Sequence, residues 1–138
     1  MTITEDAYAF LGEITTSYLA TSADDQPHVR AMMLIKKKGR YYYATGFDEP
    51  KAEQIRKNPK VEVCVLLGDE ENGGSLRLRG KAEFVTDMKT RAEIHNCVGF
   101  IQSFWENPQD PAWVLIEVKP SYLELMRPGT MDIERTDI

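Results

Sequence analysis

Cysteine, histidine and long apolar runs are all scarce in this chain, and each shortage removes a class of protein. Only Cys64 and Cys97 occur among the 138 residues. They form no CxxC pair and fall in an apolar and a helical stretch, so buried thiols are expected rather than a disulfide scaffold. Two histidines, His28 and His95, supply no ligand set at zinc-site spacing. No apolar run approaches the ~20 residues of a membrane-spanning helix. The opening stretch MTITEDAYAF carries Glu5 and Asp6 where a secretory signal is basic and then apolar. Positive charge is also in deficit: 17 Lys and Arg against 22 Asp and Glu leave a formal net charge of -5. That balance argues against nucleic acid as the main partner, because phosphate neutralisation needs clustered cations. GxSxG, HExxH and GxGxxG are absent, and no Ser-His-Asp set stands out. The expectation is a soluble cytoplasmic protein.

What is present is enough for one domain spanning 1–138, since domains of this length are common and bury a real core. Residues 4–15 read as a helix, with Ala7, Phe10, Leu11 and Ile14 on one face. Thr2 and Glu5 have capping-box spacing, with Thr4 as a rival cap. The period then changes to two. Strands are predicted over 18–22, 28–37 and 40–46, joined by the polar turn at 23–27 and by Lys38-Gly39. In the second strand Val29, Ala31, Met33 and Ile35 share one face, and Arg30, Met32, Leu34 and Lys36 the other. Asp48 is the expected cap of a short helix ending near Lys57, stopped by Asn58-Pro59. Strands follow over 61–67 and 75–85, around an acidic loop at 68–74. Asp87 caps a helix predicted to run to about Trp105 on the stripe Ile94, Val98, Ile101, Trp105. The last strand, 112–126, is expected to be interrupted at Pro120 by a bend or bulge. The tail from Arg127 is polar and expected to fray or to dock on a partner. Six strands in mostly antiparallel order with helices at the ends predict a mainly β (α+β) fold, a small antiparallel barrel with flanking helices.

The most suggestive constellation is Arg30, Thr45 and Lys51. Arg30 stands on an otherwise apolar strand, Thr45 closes the next strand, and Lys51 lies in the first turn of the helix that follows. A helix N-terminus with an Arg fork and a Lys charge converging on it suits a phosphate. Spacing alone favours the plainer reading, in which Arg30 pairs with a surface carboxylate and Lys51 is solvated. Tyr41, Tyr42 and Tyr43 alternate faces and read as strand packing. Met32 and Met33 read as core, although they could pack on a flat ring. His28 reads as structural or exposed and His95 as exposed. Arg77, Arg79 and Lys81 read as a solvated strand face or a subunit contact. Gly73-Gly74 lies in an acidic loop and is no phosphate-binding loop.

Taken in order, the stretches Arg30-Ala31-Met32-Met33-Leu34-Ile35, Tyr43-Ala44-Thr45, Lys51 with the run through Asn58-Pro59, and Gly80-Lys81-Ala82-Glu83 make the chain resemble the flavin-binding split-barrel family related to pyridoxamine 5'-phosphate oxidase. The short, general stress protein-like branch is the nearer likeness, and it covers the chain to about Met126. The resemblance implies a six-stranded split barrel that forms a homodimer and holds FMN at the subunit interface. It also implies that Arg30 and Lys51 hold the phosphate. Ala31, Met32 and Met33, with Ala44 and Thr45, would approach the ring system or ribityl chain. The sequence departs from the oxidase at Glu49 and Pro50, where that enzyme has a serine and an arginine. It departs again at Ser75, where the enzyme has a flavin-contacting glutamine, and after Met126, where the oxidase's substrate-binding segment has no counterpart.

The implied function is an FMN-dependent oxidoreductase or flavin reductase, or a stress-related protein, with vitamin B6 oxidation disfavoured by those departures. In such proteins the isoalloxazine supplies the redox chemistry, and no catalytic acid or base is assigned. The alternatives are a non-catalytic flavin carrier or sensor, and a relative that binds haem or the deazaflavin F420. Haem would need an axial His, Cys or Tyr, and F420 a larger basic groove.

Overall fold

The structure, a computed structural model, describes residues 2–138. Helix α1 (Ile3–Ala9) leads into strands β1 (Ile14–Ala23), β2 (Gln26–Lys37) and β3 (Arg40–Gly46). Helix α2 (Pro50–Lys57) connects to β4 (Lys60–Gly68) and β5 (Gly73–Val85). Helices α3 (Met88–Cys97) and α4 (Gly99–Phe104) precede β6 (Trp113–Met126) and β7 (Ile133–Asp137). The sheet order is β3-β2-β1-β4-β5-β6-β7, and an additional β3–β6 pairing closes six antiparallel strands into a ring. This is the expected split barrel with flanking helices.

Local chemistry explains the starts and turns. Thr2 Oγ1 accepts from the Glu5 backbone N–H at 3.1 Å and Glu5 Oε2 from that of Thr2 at 3.0 Å, a complete capping box. Both short hairpins turn on paired residues with positive φ, Asp24-Asp25 at 53° and 61° and Lys38-Gly39 at 50° and 73°. Such turns match the right-handed twist of the flanking strands. Opposite Pro120 the β5–β6 register shifts between Arg79 and Gly80, so β6 stays continuous and the expected irregularity is a bulge. A Cβ on Gly80 would meet Lys119 O at 2.1 Å, so only glycine allows that approach.

Six expectations need correcting. The first helix ends at Ala9, not near 15, and Ile14 opens β1 instead, paired with Ile35. Gly12 separates the two patterns. The cap of α2 is Glu49, not Asp48, and its side chain makes no capping bond. The helix expected over 87–105 breaks at Val98, whose φ of -122° and ψ of 104° are extended. The polar tail forms β7 on the edge of β6, and Arg127 ties it to α1 through Glu134 and Asp6, each at 2.7 Å. His95, expected at the surface, is buried; the cysteines are not, Cys64 being half-buried and Cys97 exposed, both free.

Two cores result. The barrel interior holds Leu19, Leu34, Tyr41, Tyr43, Val63, Leu78 and Leu123 among others. A second cluster, with Ile35, Tyr42, Trp113, Ile94 and Ile101, lies between the outer face of β2, β3 and β6 and the helices α3 and α4. Tyr41, Tyr42 and Tyr43 are all buried because β3 is covered on both faces. Arg91, unremarked in the sequence, is buried over the Trp113 ring at 4.1 Å and donates to the carbonyls of Pro108, Asp110 and Trp113.

Candidate functional site

The ring of strands is joined unevenly. β4 pairs with β5 at nine positions, Lys60 to Gly68, whereas β2 pairs with β3 only from Ile35 to Lys37. Upstream of Ile35 the two strands diverge: β2 stays on β1, while β3 follows β6 from Tyr41 to Gly46. The outer backbone edge of β2 around residues 30–34 therefore has no strand partner. A groove of about 430 Å³ opens there. Its walls are Ala31, Met32 and Met33 of β2, Ala44, Thr45 and Gly46 of β3, Glu49 and Lys51 at the start of α2, and Phe100, Phe104 and Trp105 of the α4 segment.

One polar device holds the floor. Ser17 Oγ on β1 donates to Met32 O at 2.9 Å and stands 2.6 Å from the Tyr43 hydroxyl. Ser17 thus links β1, β2 and β3 at the place where the latter two separate. Burial pushes the Tyr43 hydroxyl far above the usual tyrosine range, against the opposing bond to Ser17, so it remains a neutral hydrogen-bonding group.

The cations gather at one end. Lys51 lines the groove, and its nearest carboxylate, Glu49, is 3.7 Å away. Arg30 shares the inward face of β2 with Met32 and Leu34 and is not among the lining residues. Its guanidinium donates to Leu19 O at 3.1 Å, Thr21 Oγ1 at 2.8 Å and Gln54 Oε1 at 2.6 Å. Gln54 lies three residues beyond Lys51 on α2, so Arg30 and Lys51 meet the same helix face. Among the described residues no carboxylate pairs with Arg30. Burial lowers its pKa, but a guanidinium is so basic that it stays charged. That end of the groove carries positive charge that the protein itself does not fully neutralise.

Of the residues singled out in the sequence, Ala31, Met32, Met33, Ala44, Thr45 and Lys51 come together in one groove, and Arg30 stands behind it. A family model described as Pyridoxamine 5'-phosphate oxidase matches residues 3–127. The chain belongs to that family. General stress protein 26 of Bacillus subtilis (strain 168) is 30% identical over 112 residues, covering 80% of this chain and 79% of that protein. The crystal structure of the General Stress Protein 26 from Bacillus anthracis superimposes over 100% of both chains with a TM-score of 0.78 at 25% identity. A haem-binding protein from Mycobacterium smegmatis shares the fold, with a TM-score of 0.81 at 12% identity over 99% of this chain and 58% of that one.

The aromatic wall of the groove went unread in the sequence. Phe100 and Phe104 are four apart and lie off the Ile94, Val98, Ile101, Trp105 stripe; that offset was the available signal. Gly46 carried none. The Arg77, Arg79 and Lys81 stripe lies on the outer face of β5, away from the groove. Arg77 bonds Glu62 and Glu124 at 2.8 and 3.1 Å, and Arg79 bonds Glu62 at 3.0 Å.

Proposed function

We propose that this family member binds FMN in the groove between β2 and β3 and works as an FMN-dependent oxidoreductase or flavin reductase. The observation that carries the reading is the polarity of the groove: Lys51, backed by Arg30 across α2, at one end, and an apolar floor beneath an unpaired strand edge along the rest. Lys51 faces the phosphate and Arg30 adds charge while bracing α2 through Gln54. Ala31, Met32, Met33, Ala44 and Thr45 receive the ring and ribityl chain. The free edge of β2 offers peptide groups to the polar rim of the ring. The volume lies in the usual range of cofactor pockets. Once bound, the isoalloxazine supplies the electron-transfer chemistry; the protein's part is to bind, orient and shield it.

Haem is a weaker fit. Among the described residues the groove lining contains no His, Cys or Tyr to serve as an axial ligand. The deazaflavin F420 asks for more positive charge than Lys51 and Arg30 provide. A non-catalytic flavin carrier would use the same groove.

A homodimer is part of the proposal. Tyr18 pairs with both Ala31 and Cys64, so these three share the outer face of the sheet with Val29, Met33 and Leu66. Val29, Leu66, Met33 and Tyr18 are 70%, 67%, 42% and 40% exposed, an apolar strip that a second copy would cover. It adjoins the groove through Ala31 and Met33, which suits a flavin at the interface.

The decisive measurement is the visible spectrum of the purified protein, with the released ligand identified by mass, followed by FMN titration. A flavin spectrum and micromolar FMN binding support the reading; a Soret band, or no FMN binding with an unchanged melting temperature, overturns it. Rapid bleaching of bound flavin by NADH or NADPH separates an enzyme from a carrier.

A further inference from the structure

Where α3 stops at Val98, the chain turns and starts again as α4, and the turn decides which side chains reach the groove. Phe100 and Phe104 are one helical turn apart on the same face, and both line the groove with the adjoining Trp105. The segment is held from behind. Ile101 is completely buried, His95 Nε2 lies 2.7 Å from Trp105 O, and Gln102 Nε2 donates to the carbonyls of His95 and Asn96 at 2.9 and 3.3 Å. The rings form a row: Phe104 and Trp105 at 5.7 Å and 48°, then Trp105 and Trp113 at 6.1 Å and 23°. Arg91 backs Trp113 in turn. Phe104, the outermost ring, is 74% exposed, although its neighbours are fixed.

The charge distribution limits what can lie against this row. Glu49 and Lys51, the charged lining residues, both belong to the start of α2; the α4 wall presents only Phe100, Phe104 and Trp105. An ionised group placed there would lose water without gaining a partner. A flat uncharged ring would gain both buried apolar area and ring-to-ring contact.

We propose that Phe104, with Phe100 and Trp105, is the stacking wall for a second ligand, a flat and uncharged aromatic or quinonoid ring held between this wall and the cofactor seated on β2. The assignment rests on the flavin-binding reading above for the opposite wall, and it deepens that reading by naming the substrate class. Phe104 sets the preference for flat rings, Phe100 extends the contact, and Trp105 is immobilised by its stack on Trp113.

The test titrates three probes into the FMN-loaded protein in its oxidised state, following perturbation of the flavin absorbance. They are menadione, its naphthoquinone sulfonate analogue, and the non-planar cyclohexane-1,4-dione. Saturable menadione binding is expected, with the sulfonate about 10-fold weaker or more and the saturated diketone not binding. Phe104→Ala should weaken menadione roughly 10-fold and leave FMN affinity within about twofold, whereas Phe104→Trp should retain menadione. Because Phe104 is so exposed, its replacement leaves the fold intact, and an unchanged melting temperature checks this. Parallel loss of FMN and menadione in Phe104→Ala would assign the wall to the flavin and overturn the proposal. So would unchanged menadione binding, or a sulfonate that binds as well as menadione. If the wild type binds no FMN, the flavin reading fails by itself, and menadione is titrated into the protein alone against the fluorescence of Trp105 and Trp113. Saturable quenching lost in Phe104→Ala then sustains the wall; its absence overturns it.

Discussion

The two sides of this barrel obey different rules. On the closed side, β4, β5 and β6 pair over long stretches, with a bulge between Arg79 and Gly80, and alternate residues such as Val63, Leu78 and Leu123 point into a core with almost no exposed surface. On the open side, β2 and β3 share three paired positions and then part. The closed side satisfies its backbone internally and derives its stability from apolar burial. The open side leaves a strand edge and two flexible methionines on a groove, with Lys51 in its lining beside Glu49 and Arg30 behind it. An unpaired edge is a liability in a protein that has nothing to place there, and the proposed flavin would cover it.

That contrast can be broken by mutation. The largest effect is expected from Leu123→Ala, which removes a fully buried side chain paired with Leu78. Such truncations cost about 2–5 kcal/mol. Urea unfolding should show this loss, while the ratio of FMN to riboflavin affinity stays unchanged. Lys51→Ala should do the reverse. Melting of the ligand-free protein should barely move, but FMN should weaken by roughly 10- to 150-fold relative to riboflavin, the worth of a charge-assisted bond of ~1.5–3 kcal/mol. Equal weakening of both ligands would place Lys51 away from the phosphate.

Ser17→Ala joins the two sides. It strips the Tyr43 hydroxyl and Met32 O of a shared partner, so a loss of about 1–3 kcal/mol is expected. Because Met32 lies in the groove floor, both flavins should weaken together, as fluorescence titration would show. The smallest effect is expected on the outer face of the closed side. Burial pushes the Glu62 carboxyl up, but bonds from Arg77 and Arg79 outweigh it and hold the group below the ordinary range. The Tyr122 hydroxyl and Arg135 lower Glu124 in the same direction. A carboxyl lowered in the folded state contributes stability in full above its unfolded value of ~4.3, and loses it as pH falls below that. Thermal stability should therefore decline on acidification through that window. Glu62→Gln should flatten the decline while costing under ~1 kcal/mol at neutral pH.

Much of this contrast was legible in the residues. Thr2 and Glu5 announce the first cap, Lys38-Gly39 a hairpin, and the alternation over 28–37 sorts Arg30, Met32 and Leu34 from Ala31 and Met33 correctly. The errors share a cause: each pattern was locally consistent with more than one partner. Ile14 continues the spacing of the first helix, yet pairs with Ile35 across a sheet. Val98 continues the stripe of α3, yet takes an extended conformation that turns α4 onto the groove. Residues 133–137 look like a polar tail because half-exposed edge strands have little apolar signal, and β6 supplies the partner they need.

The sequence by itself determined six strands in mostly antiparallel order, because these follow from periodicity and turn chemistry, while the order of its motifs carried the likeness to the family and, through that likeness, pointed to the residues gathered at the groove. Tertiary structure alone decided that β2 and β3 separate, that Arg30 reaches Gln54 rather than the groove lining, and that Phe100, Phe104 and Trp105 form the far wall. Those outcomes depend on contacts between residues 24 to about 70 positions apart, whose geometry is set by how the barrel closes. No local pattern carries that information.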